Sequence, residues 1–67
     1  VRDMSDYNKD VKRLLSAGGC YFLRHGKGDH DIWYCPKLNR NVTVDHKIKS
    51  RHTANAVLQQ AGLPKQF

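Results

Sequence analysis

Three short β-prone runs separated by turn-length breaks constrain this chain more than anything else in it: Cys20 to His25, Asp29 to Cys35 and Asn41 to His46. The breaks, His25-Gly26-Lys27-Gly28 and Pro36-Lys37-Leu38-Asn39-Arg40, are rich in turn-forming residues. Runs at hairpin spacing give an antiparallel meander, and one face of so small a sheet has to be covered. The cover is written on either side of it. Val11, Leu14 and Leu15 stand at i, i+3, i+4 behind Asn8, a helix-capping residue type, and Gly18-Gly19 stops the pattern, so a helix is expected over 9–17. Ser50 or Thr53 opens a second helix carrying Ala54, Val57, Leu58 and Ala61, which ends at Gly62 with Pro64 beyond.

The expected architecture is therefore α+β in the order α-β-β-β-α. It is a three-stranded antiparallel sheet with two helices on one face, the sandwich of double-stranded-RNA-binding domains. With 67 residues there is room for one domain, read as 8–67 behind a polar, aperiodic tail over 1–7. Alternation sends Val42 and Val44 to the covered face and Thr43 and Asp45 outward. In the middle strand Ile32, Trp33 and Tyr34 are all apolar or aromatic. Trp33, the largest, is placed inward, which turns His30, Ile32 and Tyr34 to the open face. Cys20, Phe22, Trp33, Val42, Val44, Val57 and Leu58 form the expected core. Cys20 and Cys35 fall in neighbouring strands where a disulfide is geometrically conceivable, but a single pair in a reducing compartment reads first as two buried thiols.

Twelve Lys and Arg face six Asp and no Glu, a formal net charge of +6. Such a chain favours an anionic partner: nucleic acid, an acidic protein or an anionic membrane surface. The longest apolar run, Cys20-Tyr21-Phe22-Leu23, is far too short to span a bilayer, and no signal peptide is recognisable, so the expected location is the cytoplasm and no membrane partner is expected. Arg24, Lys27, Lys37, Arg40, Lys47, Lys49 and Arg51 lie mostly in turns and at strand ends. Any one of them is an ordinary solvated side chain; together, with no Glu to balance them, they form a polyphosphate footprint. The run His46 to His52 leads into a helix N-terminus, where backbone N–H groups also attract phosphate. RNA is preferred over DNA as the partner, because no segment looks like a major-groove recognition helix. Tyr21 and Tyr34 could stack on bases, although each is equally at home as a half-covered strand residue.

Within that footprint His30 stands out. It follows the Gly26-Lys27-Gly28 turn, which keeps bulk away and supplies backbone N–H groups, Gly28 among them, and a cation. An imidazole there can take a proton from a ribose 2′-hydroxyl or give one to a leaving 5′-oxygen without any metal. Most strand histidines are structural, but Asp29 and Asp31 flank this one, and a neighbouring carboxylate can orient the ring. Asp29 is equally a turn residue. The second proton-transfer group is left open between water, Asp29 and a lysine. Four histidines and two cysteines invite a zinc reading, yet no Cys-x-x-Cys or close His pair has ligand spacing, so no metal and no cofactor is expected.

Gly28-Asp29-His30, Ile32-Trp33, Val42-Thr43-Val44 and the closing helix from Thr53 to Gly62-Leu63 resemble the HicA toxins of bacterial and archaeal toxin–antitoxin modules, over residues 8 to 64. The resemblance implies the α-β-β-β-α fold and the activity of an mRNA interferase, an endoribonuclease that cleaves RNA and halts growth. It implies His30 as the catalytic residue, and a HicB-like antitoxin that masks the site, for which Ile32 and Tyr34 on the open face are the expected contacts. The family's commonest motif has Ser before the histidine, where this chain has Asp29. The rival readings are a non-catalytic RNA-binding module of the same fold, which needs the cations and not His30, and a small DNA-binding or partner-binding protein.

Overall fold

The computed structural model describes residues 6–67. The elements run α1 (Asn8–Ala17), β1 (Tyr21–His25), β2 (His30–Cys35), β3 (Arg40–Asp45) and α2 (Arg51–Gln60), the expected order with boundaries shifted by a residue or two. The sheet is an antiparallel meander, β1-β2-β3. Both helices close as the glycine signals require. In each, an αL glycine follows the last turn: Gly19 N–H bonds Ser16 C=O and Cys20 N–H bonds Leu15 C=O after α1, while Gly62 N–H bonds Gln59 C=O and Leu63 N–H bonds Leu58 C=O after α2. Of the two candidate openers of the second helix Ser50 is the cap, its Oγ accepting the His52 N–H at 3.1 Å.

Asn8 does something other than cap. It is the first helical residue, and its amide Nδ2 donates to Asp45 C=O at 2.7 Å, tying the start of α1 to the end of β3. The N-cap position is Tyr7, and Asp6 just before it accepts the Asn8 N–H and, at 3.2 Å, the Ile48 N–H through Oδ1. Of the expected tail, residues 1–5 lie outside the described residues. Asp6 and Tyr7 belong to the packed body: Tyr7 N–H bonds Ile48 C=O and its ring meets Phe67 edge-on.

The core forms between the helices and one sheet face. Val11 and Leu15 of α1, Ala54, Val57 and Leu58 of α2, with Ala61 just beyond it, and Trp33, Cys35, Val42 and Val44 of the sheet are buried. Trp33 is inward and His30, Ile32 and Tyr34 are outward, as alternation requires. Phe22 departs from expectation, with 45% of its surface exposed. β1 is an edge strand with a register shift between Phe22 and Arg24, and its whole length stays exposed, so Phe22 only leans on Trp33 from beside the core. Two buried residues had no periodic signal. Ile48 fills the core from the β3–α2 connection, and Asn55 secures the C-terminal segment by donating to Phe67 C=O and accepting the Gln66 and Phe67 N–H groups.

The two cysteines also depart from the expected thiols. The structure joins Cys20 and Cys35 in a disulfide, both buried. The meander places them opposite one another, one step beyond the Tyr21–Tyr34 pair, so the bridge adds a covalent rung to the β1–β2 ladder.

Candidate active site

His30 opens β2 directly after the turn and faces the uncovered side of the sheet. Gly28 adopts φ +63°, which only glycine takes without penalty, and the hairpin closes through Gly26 N–H to His30 C=O at 2.9 Å. The turn curls back on the ring: His30 Nδ1 lies 3.1 Å from Lys27 C=O. Across the ladder His30 pairs with Asp45, and Nε2 lies 3.0 Å from the Asp45 carboxylate, both side chains about half exposed. The ring therefore spans two acceptors. Both bonds exist together only while the ring carries both protons; when it carries one, the nitrogen that gives up its contact is a base.

The carboxylate that meets His30 thus comes from β3. Asp29 is exposed, and it fixes the neighbouring segment through its backbone, accepting the His46 N–H at 2.8 Å. Asp29, His30, Asp45, His46 and Lys47 line one open cleft at this end of the sheet. Asp31, the other flanking carboxylate, points to the opposite face, where it is buried against His25, His46 and Lys12. The His46 hydrogen bond, with those from His25 and Lys12, holds its carboxyl well below the usual carboxylate range against the opposing effect of burial.

The expected phosphate contacts divide by position. Lys27 and Gly28 are in the turn that holds His30, Lys47 borders its cleft, and Arg24 lies opposite Ile32 on the open face. Lys49 and Arg51 flank the Ser50 cap and are exposed. Lys37 and Arg40 sit at the far end. Arg40 pairs with Cys35, roughly 17 Å along β3 from Asp45 at a strand rise of about 3.4 Å per residue. Its Nη1 donates to Gln60 C=O at the end of α2. Tyr21 and Tyr34 pack ring to ring, 5.7 Å between centroids, and extend the open face beyond Ile32.

The family model described as the HicA toxin of bacterial toxin–antitoxin matches residues 9–63. The chain belongs to the HicA toxin family. No curated protein and no solved structure matches it. A HicA toxin is the toxin half of a toxin–antitoxin pair, so an antitoxin partner comes with the family. Among the described residues of this HicA toxin no helix is long and apolar enough to cross a membrane. Sequence reasoning placed His30 on the open face and missed Asp45 as its neighbour. The signal for Asp45 lay in the register: the β2–β3 hairpin sets the first residue of β2 against the last of β3.

Proposed function

We propose that the chain is a metal-independent endoribonuclease, an mRNA interferase, with His30 as its proton-transfer residue. The observation that carries this reading is the His30 ring itself, steadied at Nδ1 by Lys27 C=O and presenting Nε2 on an open face beside Asp45. Bound RNA displaces the Asp45 contact. Nε2 takes the proton of a ribose 2′-hydroxyl, the 2′-oxygen attacks phosphorus, and the P–O5′ bond breaks as the 5′-oxygen leaves with a proton from water or from Lys47. Asp45 is then the counter-ion of the imidazolium that the transfer creates. Lys27, Lys47 and Arg24 neutralise the phosphate, and Lys49 and Arg51 extend the contact along the backbone.

The reading is tested by expressing wild type and His30→Gln under induction and analysing the RNA ends. Growth arrest and 2′,3′-cyclic phosphate products from wild type, lost in a folded His30→Gln, support it. Products with a 5′-phosphate, or wild-type cleavage by the variant, overturn it.

One observation favours the rival reading of a non-catalytic RNA-binding module. Both ring nitrogens of His30 already have acceptors, as they would in a histidine that only holds a turn against β3. On that reading His30→Gln binds and arrests growth as wild type does.

A further inference from the structure

The face of the sheet opposite His30 carries a second histidine cluster, and its three members come from three separate segments. Asp31 of β2 is buried, its side chain 5% exposed, and Oδ1 receives two ring nitrogens: Nδ1 of His25, at the end of β1, at 2.8 Å, and Nε2 of His46, just past β3, at 3.0 Å. Lys12 Nζ of α1 holds the other oxygen, Oδ2, at 3.1 Å. The Nδ1, Nε2 and Oδ1 atoms all lie within 4.8 Å of one another.

We propose that His25, Asp31 and His46 form a binding site for a divalent transition ion of the Zn²⁺ type, centred on the sheet face opposite His30 and sharing only the rim residue His46 with the His30 cleft. Two imidazoles and one carboxylate suit Zn²⁺ and its first-row neighbours, whereas Mg²⁺ and Ca²⁺ call for oxygen ligands. Zn–N and Zn–O bonds of about 2.0–2.2 Å in tetrahedral geometry set ligand atoms roughly 3.3 Å apart. The two nitrogen-to-oxygen separations, 2.8 and 3.0 Å, widen by a few tenths of an ångström, while the two ring nitrogens, within 4.8 Å of each other, close by up to about 1.5 Å. The His25 ring, 77% exposed, turns to allow this at little cost, while buried Asp31 stays fixed. The ion takes the place of the two protons that the rings share with Oδ1.

Lys12 acts on the carboxylate from behind. By holding Oδ2 it presents Oδ1 alone, the monodentate arrangement a tetrahedral ion takes. Its ammonium also opposes a second cation nearby, and a side chain one-third exposed can swing away to relieve that. Three protein ligands leave the fourth position to water on the solvent side of the rings. Because Asp31 and His30 stand on opposite faces, the bound ion acts on stability, clamping β1, β2 and the segment after β3 where their pairing ends.

The test uses the whole chain with its disulfide intact, stripped of metal by EDTA and dialysed without reductant. Expected are one Zn²⁺ bound per chain, a Tm that rises with free Zn²⁺, and visible d–d absorption when Co²⁺ is substituted. Mg²⁺ should raise neither the Tm nor any competition. His25→Gln and His46→Gln, which remove exposed rings and keep the fold, should each weaken Zn²⁺ binding by roughly 100-fold. No stoichiometric binding at micromolar Zn²⁺, equal effects from Mg²⁺, or binding that survives loss of both histidines overturns the site. His30→Gln should bind Zn²⁺ as wild type does, so failure of the ribonuclease reading leaves this result standing and the converse holds too.

Discussion

His30 and Asp31 are neighbours in the chain and stand on opposite faces of the sheet, each with its own carboxylate–histidine partnership. His30 meets Asp45 on the open face; Asp31 meets His25 and His46 on the covered one. Alternation of side chains along one strand thus sends the two partnerships to opposite faces, with His46 of the Asp31 cluster also bordering the His30 cleft. The consequences differ: a change at His30 is expected in function, a change at Asp31 in stability.

Asp31 should make the metal-free protein acid-sensitive. Its folded pKa lies below the unfolded one, chiefly through the His46 hydrogen bond, so the unfolded state binds the proton more readily. The stabilisation is fully present above the unfolded value, about 3.9, and is lost as the pH falls below it. Thermal melts in EDTA should show the Tm dropping below about pH 4 for wild type and dropping less for Asp31→Asn. At neutral pH that variant should already be weaker by about 1–3 kcal/mol, the cost of disturbing a buried hydrogen-bonded carboxylate. A parallel acid limb in the two proteins would contradict the assignment.

The Cys20–Cys35 bridge closes a short loop, with a sequence separation of 15. In the chain-entropy account a loop of that length adds about 3 kcal/mol to stability. Reduction, or Cys20→Ala with Cys35→Ala, should lower the Tm by more than 10 °C, since each kcal/mol is worth roughly 4–8 °C in a domain this small. Identical melts with and without reductant would show that the bridge contributes nothing.

The fold was readable from the sequence because its signals are local. Glycine after each helix, apolar periodicity and turn-length breaks each report on a few adjacent residues, and Gly19, Gly62 and Ser50 behave as such residues do. What the sequence concealed is long-range. Asp45 becomes the neighbour of His30, and His25 and His46 converge on Asp31, only through strand register, and none of these pairs has a characteristic spacing. Phe22 looked like core because it is aromatic in a β-prone run, but an edge strand beyond the reach of the helices leaves it half in water. Ile48 looked like part of a basic segment for the opposite reason: its neighbours are lysines, and the bend after β3 alone turns it inward.

The cations should separate by which end of the sheet they occupy. Log affinity for a short RNA falls linearly with log salt, and each lost phosphate contact reduces the slope by about 1. Lys27→Gln and Lys47→Gln, both beside His30, should show that reduction. Lys37→Gln and Arg40→Gln, at the far end, should leave the slope unchanged; binding isotherms over a range of salt concentrations decide it. An unchanged slope for Lys27→Gln, or a reduced one for Arg40→Gln, would move the RNA path away from the His30 cleft.

Ile32 offers the sharpest probe of the antitoxin. It lies on the open face between Thr43 on β3 and Arg24 on β1, two ladder steps from His30, half-buried in the free toxin. An apolar side chain in a basic rim is the kind of anchor a masking protein buries. Ile32→Asp should weaken antitoxin binding by 2 kcal/mol or more, roughly 30-fold, at a much smaller cost in folding stability. Leu38→Asp, exposed in the turn at the other end of the sheet, is the matched control and should bind as wild type. Titration of each variant with the cognate antitoxin measures this directly. Loss in Leu38→Asp with retention in Ile32→Asp would put the antitoxin at the Lys37–Arg40 end and leave the His30 cleft open in the complex.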